Sequence, residues 1–108
     1  MSIRNKPYAT GMVFGVFDGF HPGHQIFQRD AAKSCKRLIV VVALPEMVLA
    51  LKKHPPRYPY ADRAAAIQSR CRRCEIIPSD TKPGAWSALK AYHPDIVFLG
   101  HDQTALAK

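Results

Sequence analysis

The sequence predicts an α/β fold: a Rossmann-like open parallel sheet of about four strands with helices on both faces. Three observations predict it. Short apolar runs alternate with helical patterns along the whole chain. One run, LIVVVAL from Leu38 to Leu44, is β-branched and continuous, as a parallel strand covered on both faces must be. A glycine turn and a Pro-Gly pair then follow the first run, where a strand would give way to a helix.

Taken in order, ATGMVFGVF (Ala9 to Phe17) reads as a first buried strand. PGHQIFQRDAAKSC (Pro22 to Cys35) reads as a helix with Pro in its first turn, where a missing N–H costs nothing. LIVVVA (Leu38 to Ala43) is the second strand. PEMVLALKK (Pro45 to Lys53) makes a short helix ended by His54-Pro55-Pro56. YADRAAAIQSRC (Tyr60 to Cys71) is helical by propensity, with Ala64, Ile67 and Cys71 on one stripe. CEIIP (Cys74 to Pro78) is a third strand, PGAWSALKAY (Pro83 to Tyr92) a further helix, and DIVFLG (Asp95 to Gly100) a fourth strand. Such alternation implies right-handed βαβ crossovers.

The 108 residues match one domain, with 47% apolar and 22% charged residues, an ordinary soluble composition. No run approaches the roughly 20 apolar residues that span a bilayer. The first ten residues lack the apolar core of a signal peptide, so the expected address is the cytoplasm, with no membrane partner. Sixteen Lys and Arg against eight Asp and Glu give a net charge of +8, which suits an anionic partner. Aromatics are not interleaved with the basic residues in an RNA-reading pattern, so nucleic acid is the weaker expectation. Cys35, Cys71 and Cys74 are odd in number, which argues against a disulfide framework. The CRRC pair has metal or redox spacing but no second pair to complete a zinc site. Reduced structural thiols are the expectation.

Folds of this kind bind ligands at the carboxyl ends of their strands. After the first strand comes GVFDGFHPGH (Gly15 to His24). If a helix starts near Pro22, His21 sits at its cap and His24 in its first turn. Both imidazoles then project near unpaired N–H groups and the positive end of the helix dipole, which suits a phosphate. Gly23 removes a side chain where a ligand would approach, and Gly15 and Gly19 allow a tight turn.

GVFDGFHPGH resembles the G-T-F-D-x-x-H-x-G-H signature of the cytidylyltransferase-like nucleotidyltransferase superfamily. KKHPPRYPYADRAAAI resembles the lysine-bearing loop and arginine-opened helix of its glycerol-3-phosphate cytidylyltransferase and archaeal-type FAD synthetase group. WSALKAYHPDIVFLGHDQ resembles the stretch ending in Gly-Tyr-Asp-Gln of the FAD synthetase branch. The resemblance implies a Rossmann-like fold and nucleotidyl transfer. The acceptor's phosphate attacks the α-phosphorus of ATP or CTP, and pyrophosphate leaves. It places His21, His24, Lys52 and Lys53 in the catalytic set. Gly15, Val16, Phe17, Asp18, Gly23, Gly100, His101, Asp102 and Gln103 fall at the nucleotide, and Arg63 at the phosphorylated small-molecule acceptor. Mg²⁺ would accompany the NTP, with no dedicated protein metal site, and the family habit makes a homodimer the expected partner state. FMN adenylylation is the leading reading and glycerol-3-phosphate cytidylylation the alternative.

The sequence departs from the pattern in places. Val16 stands where the signature has Thr, Leu44-Pro45-Glu46 replaces an Asp-bearing segment, and His101 stands for Tyr. Members of the superfamily continue to a further strand and a hydroxyl-rich helix start. The expectation is therefore a single nucleotidyltransferase domain over 1–108 that lacks this C-terminal strand–helix element. A non-catalytic nucleotide- or RNA-binding module is the reading from another class. Trp86 is expected against the sheet rather than as a flavin platform.

Overall fold

The computed structural model describes residues 8–18 and 35–98. Among these residues seven elements occur in chain order: β1 (Tyr8–Gly15), β2 (Cys35–Val42), α1 (Pro45–Lys52), α2 (Tyr60–Arg70), β3 (Glu75–Pro78), α3 (Ser87–Tyr92) and β4 (Ile96–Phe98). The strands form one sheet in the order β3-β2-β1-β4, and every pairing is parallel. The chain steps outward from β1 to β3, then returns to the far side of β1 for β4. The order therefore reverses between β1 and β4, the position at which doubly wound sheets open a crevice.

Alternation along each strand sends side chains to opposite faces. Met12, Phe14, Ile39 and Val41 face one way and pack with Ala88, Leu89 and Tyr92 of α3. Val13, Leu38, Val40 and Val42 face the other way and pack with Ile67 of α2. Helices thus cover both faces, as expected. Met12, Val13, Ile39, Val40 and Val42 are wholly buried, each contributing about 1.5–3 kcal/mol of apolar burial. Gly11 is required by close approach, because a Cβ there would collide with the Cys35 Sγ across the β1–β2 pair.

Polar ties set the register at the start of the strands. The Asp95 carboxylate accepts the Ala9 and Thr10 N–H groups at 3.1 and 2.9 Å, and the Asp95 N–H donates to the Thr10 carbonyl at 2.8 Å. Arg37 forms a two-pronged ion pair with Glu75 between β2 and β3.

Several boundaries differ from expectation for identifiable reasons. β2 begins at Cys35, three residues early, and Lys36 and Arg37 lie within it. These exposed cations interrupt the apolar run while their backbone pairs with the start of β1. Cys35, expected to close the preceding helix, opens a strand instead; residues 19–34 lie outside the described set. β1 stops at Gly15 because Phe17 turns left-handed, with φ 55°. α3 starts at Ser87, after the turn at Gly84 (φ 91°) and the left-handed Trp86.

The thiol expectation is corrected. Cys71 and Cys74 are joined in a disulfide, their Cα atoms 5.4 Å apart. An odd total excludes complete pairing but not a bridge between neighbours, and this separation lies within disulfide range. Cys35 is buried and takes no part in the bridge.

Candidate functional site

The carboxyl edge of the sheet gathers Gly15 to Asp18 after β1, Ala43 and Leu44 after β2, and Ser79 and Asp80 after β3. Gly15 ends the β1 ladder, and its carbonyl accepts the Ala43 N–H at 2.9 Å. Val16 and Phe17 are both buried. Phe17 therefore holds its left-handed backbone through side-chain burial, where a non-glycine residue ordinarily sacrifices about 1–2 kcal/mol. The tight turn falls here rather than at Gly15.

Asp18 ties this turn to the loop between α1 and α2. Its carboxylate accepts the N–H groups of Arg57 at 2.7 Å and Tyr58 at 3.0 Å, with the Arg57 guanidinium 3.9 Å away. Burial pushes the Asp18 pKa up, but those two hydrogen bonds and the charges of Arg57 and Arg63 outweigh it, leaving it below 3.8.

Arg63, in the first turn of α2, is 2% exposed. Nη1 donates to the carbonyls of Val16 at 2.9 Å and Ala43 at 2.7 Å, and Nε donates to the Tyr58 carbonyl at 2.9 Å. One guanidinium thus fastens the ends of β1 and β2 and the approach to α2. A planar cation with forked donors suits such a set of carbonyls. Burial lowers its pKa, with Asp18 and Tyr60 opposing. Nη2 is buried without a hydrogen-bond partner among the described residues. Arg63 therefore lies at the carboxyl edge of the sheet, with Nη1 and Nε engaged by backbone carbonyls.

Beside this clamp, on the α3 side of the sheet, lies a cavity of about 140 Å³. Phe14, Val16, Met47, Leu51 and Trp86 supply apolar wall, and Ser79 and Asp80 supply polar groups. Met47 and Leu51 are four residues apart on α1 and so share a face. Trp86 stands edge-on to Phe14, ring centroids 5.5 Å apart at 82°, while 40% of the residue stays exposed. It packs on the sheet and also presents ring surface to the cavity. The polar end is well fixed. Ser79 Oγ accepts the Leu44 N–H at 2.9 Å and donates to the Asp80 carbonyl at 2.8 Å. The Asp80 carboxylate accepts the Ser87 N–H at 2.9 Å. Bonds to the Ser87 hydroxyl and N–H hold its pKa below the ordinary carboxylate value.

Lys52 ends α1 and Lys53 caps it in a left-handed conformation, φ 66°, its N–H bonded to the Leu49 carbonyl. Both are exposed, one step beyond the cavity residue Leu51. His21, Gly23, His24, Gly100, His101, Asp102 and Gln103 lie outside the described residues. Among the described residues, no three His, Cys, Asp or Glu side chains gather as a metal-ion site, and no helix is long and apolar enough to cross a membrane.

Sequence reasoning missed Ser79, Asp80 and the Met47–Leu51 wall. The signal was available. The rule that ligands lie beyond strand carboxyl ends applies equally to the third strand, and Ser79-Asp80 directly follows it.

The model of the Cytidylyltransferase-like family matches residues 12–107. A FAD synthase of Pyrococcus horikoshii is 37% identical over 94 residues, covering 85% of this chain and 62% of the relative. A FAD synthase of Thermococcus onnurineus is 33% identical over 103 residues, covering 95% and 69%. The chain spans about three fifths of the length of the Pyrococcus horikoshii relative and of a similar FAD synthase from Pyrococcus abyssi. Among solved structures, a lipopolysaccharide core biosynthesis protein from Thermoplasma volcanium superposes with a TM-score of 0.79 at 27% identity, covering 90% of this chain and 78% of that one.

Proposed function

This chain belongs to the cytidylyltransferase-like family, and from that premise we propose that it transfers AMP from ATP to FMN with release of pyrophosphate. An oxygen of the FMN phosphate attacks the α-phosphorus. A new P–O–P link forms, the bond to the β-phosphate breaks, and pyrophosphate carries away the electron pair. The attacking phosphate is already ionised, so the step needs no strong general base. Positioning and neutralisation of charge on the phosphoryl oxygens carry the acceleration.

The observation that carries the choice of acceptor is the apolar cavity at the carboxyl edge with exposed Trp86 ring surface. A flat, apolar ring system gains from such a wall, by burial and by contact with the aromatic ring. Glycerol 3-phosphate has no apolar body to place there. A dry cavity of about 150 Å³ holds a benzene ring, so the space suits one edge of an isoalloxazine. The similarity to FAD synthases supports the same assignment.

In this reading ATP occupies the crevice where the strand order reverses, along Gly15 to Asp18 and the Gly100–Gln103 segment. His21 and His24 donate to the phosphates, and Lys52 or Lys53 reaches them from the end of α1. Arg63 acts as a positioning residue, holding the Val16 and Ala43 carbonyls so that both strand ends keep their spacing. Mg²⁺ would arrive on the triphosphate, which brings its own oxygen ligands. When bound, it adds charge neutralisation at the phosphoryl oxygens.

The test uses Trp86, the one tryptophan of the chain. FMN should quench its fluorescence saturably, whereas glycerol 3-phosphate should not. With ATP and Mg²⁺ the same protein should release pyrophosphate and form FAD. Absence of FAD from folded protein, with or without quenching, overturns the proposal. Quenching alone would favour a non-catalytic nucleotide-binding module.

A further inference from the structure

We propose that Cys71 and Cys74 form a reversible dithiol–disulfide site, opened and closed by exchange with a dithiol that enters at Cys71. The bridge joins the C-cap of α2 to the residue before β3. Only Arg72 and Arg73 lie between the cysteines, so the bond removes little freedom from the unfolded chain and is a poor staple.

The turn is held without it. The Cys71 N–H donates to the Ile67 carbonyl at 3.0 Å, and the Cys74 N–H to the Cys71 carbonyl at 3.2 Å. Gln68 Nε2 lies 3.0, 3.1 and 3.2 Å from the carbonyls of Cys71, Arg72 and Cys74. Arg73 Nη2 reaches back to the Lys36 carbonyl at 2.9 Å, fastening the turn to β2. Cleaving the sulfur–sulfur bond leaves this framework standing. The two sulfurs then remain neighbours at high effective concentration, the condition for closing again.

The two sulfurs have unlike surroundings. Cys74 is 4% exposed and packs in the cluster of Val40 and Ile67. As a neutral thiol it would sit there as a small apolar group. Cys71 packs against the edge of the same cluster but stays half-buried beside the exposed Arg72 and Arg73, so it is the more open of the two sulfurs to a reductant. Cations beside a cysteine favour thiolate. Arg70, Arg72 and Arg73 carry three full charges against the partial negative charge of the helix end.

The exchange balances. A thiolate of the incoming dithiol bonds to Cys71 Sγ, the bridge breaks, and Cys74 leaves and takes a proton from water. The second thiol of the dithiol attacks its own bound sulfur, releasing Cys71 as thiolate. The dithiol is oxidised to a disulfide and the protein gains two electrons. The cycle requires neither nucleotide nor acceptor, so it stands apart from the proposed transfer reaction.

The experiment incubates folded protein with dithiothreitol, checks by Trp86 fluorescence that it stays folded, and quenches with acid. It then unfolds the sample, labels thiols with a maleimide and maps them by peptide mass. The expected result is one labelled cysteine, Cys35, before reduction, three after it, and one again when oxidised dithiothreitol replaces the reductant. A pair that stays bridged in folded protein and opens only on unfolding overturns the proposal. So does a pair that never closes again. Arg72→Gln should slow reclosure at pH 7 several-fold, and an unchanged rate overturns the role given to the cations.

Discussion

Replacing Arg63 with Met removes the guanidinium while keeping most of the aliphatic stem. Two buried carbonyls, of Val16 and Ala43, lose the donor at 2.9 and 2.7 Å, and the Tyr58 carbonyl loses a third bond. Each buried acceptor left unpaired costs about 1–3 kcal/mol, roughly 2–6 kcal/mol for the pair at the strand ends. Part is offset, because the variant no longer buries a cation whose Nη2 lacks a described partner, and burying charge is itself unfavourable. The net expectation is a loss of about 2–4 kcal/mol. With a urea dependence of about 2 kcal/mol per molar for a domain of this size, the unfolding midpoint falls by about 1–2 M. Equilibrium urea unfolding followed by far-ultraviolet circular dichroism reads it directly. Arg63→Lys should lie between the two, since a single ammonium cannot span three carbonyls set for a planar fork. A midpoint lowered by less than about 0.3 M together with abolished turnover would refute the clamp and assign Arg63 to the substrate's anion.

Three further outcomes are expected. Asp18→Asn should lower stability near pH 7 by about 1–2 kcal/mol, through loss of charge-assisted bonds to the Arg57 and Tyr58 N–H groups. Because the folded pKa of Asp18 lies below 3.8, its contribution is present above the unfolded value and disappears as the pH falls through the folded one. Wild type and variant should therefore converge in urea titrations as acid protonates the Asp18 carboxylate. Trp86→Ala should raise the KM for FMN about tenfold through lost aromatic contact, leaving that for ATP unchanged in steady-state pyrophosphate assays. His24→Ala should lower kcat at least ~100-fold, the scale of one preorganised donor to a developing oxyanion.

The fold was legible because its two central strands, β1 and β2, are covered on both faces. Continuous β-branched runs such as Leu38–Val42 have no other stable use in a chain of this length. What escaped was backbone chemistry performed by polar residues. Arg63 sits in a run, YADRAAAI, that reads as an exposed helix start, yet it is as buried as Ile67 one turn later. Nothing in side-chain periodicity signals that three carbonyls will converge on one helical position. The same blindness shortened β2, where Lys36 and Arg37 look like loop although their backbone is paired. At the site, the apolar wall was hidden because Met47 and Leu51 of α1 meet Trp86 from a different part of the chain. The disulfide escaped for a simpler reason: counting cysteines says nothing about two that share one turn.

The Asp95 tie at the start of the sheet has a reach beyond its own position. Three residues of β4 pair with β1 among the described residues, and a slip of one residue would invert the faces of β4. The carboxylate bound to Ala9 and Thr10 thus works as an index mark at one end of a ruler, setting Phe98 beside Val13. Some 17 Å of strand separate Thr10 from Gly15, at about 3.3 Å per residue. In a mutational scan scored by turnover, Asp95 would be mistaken for a ligand-binding carboxylate, though it lies at the end of β1 away from the site.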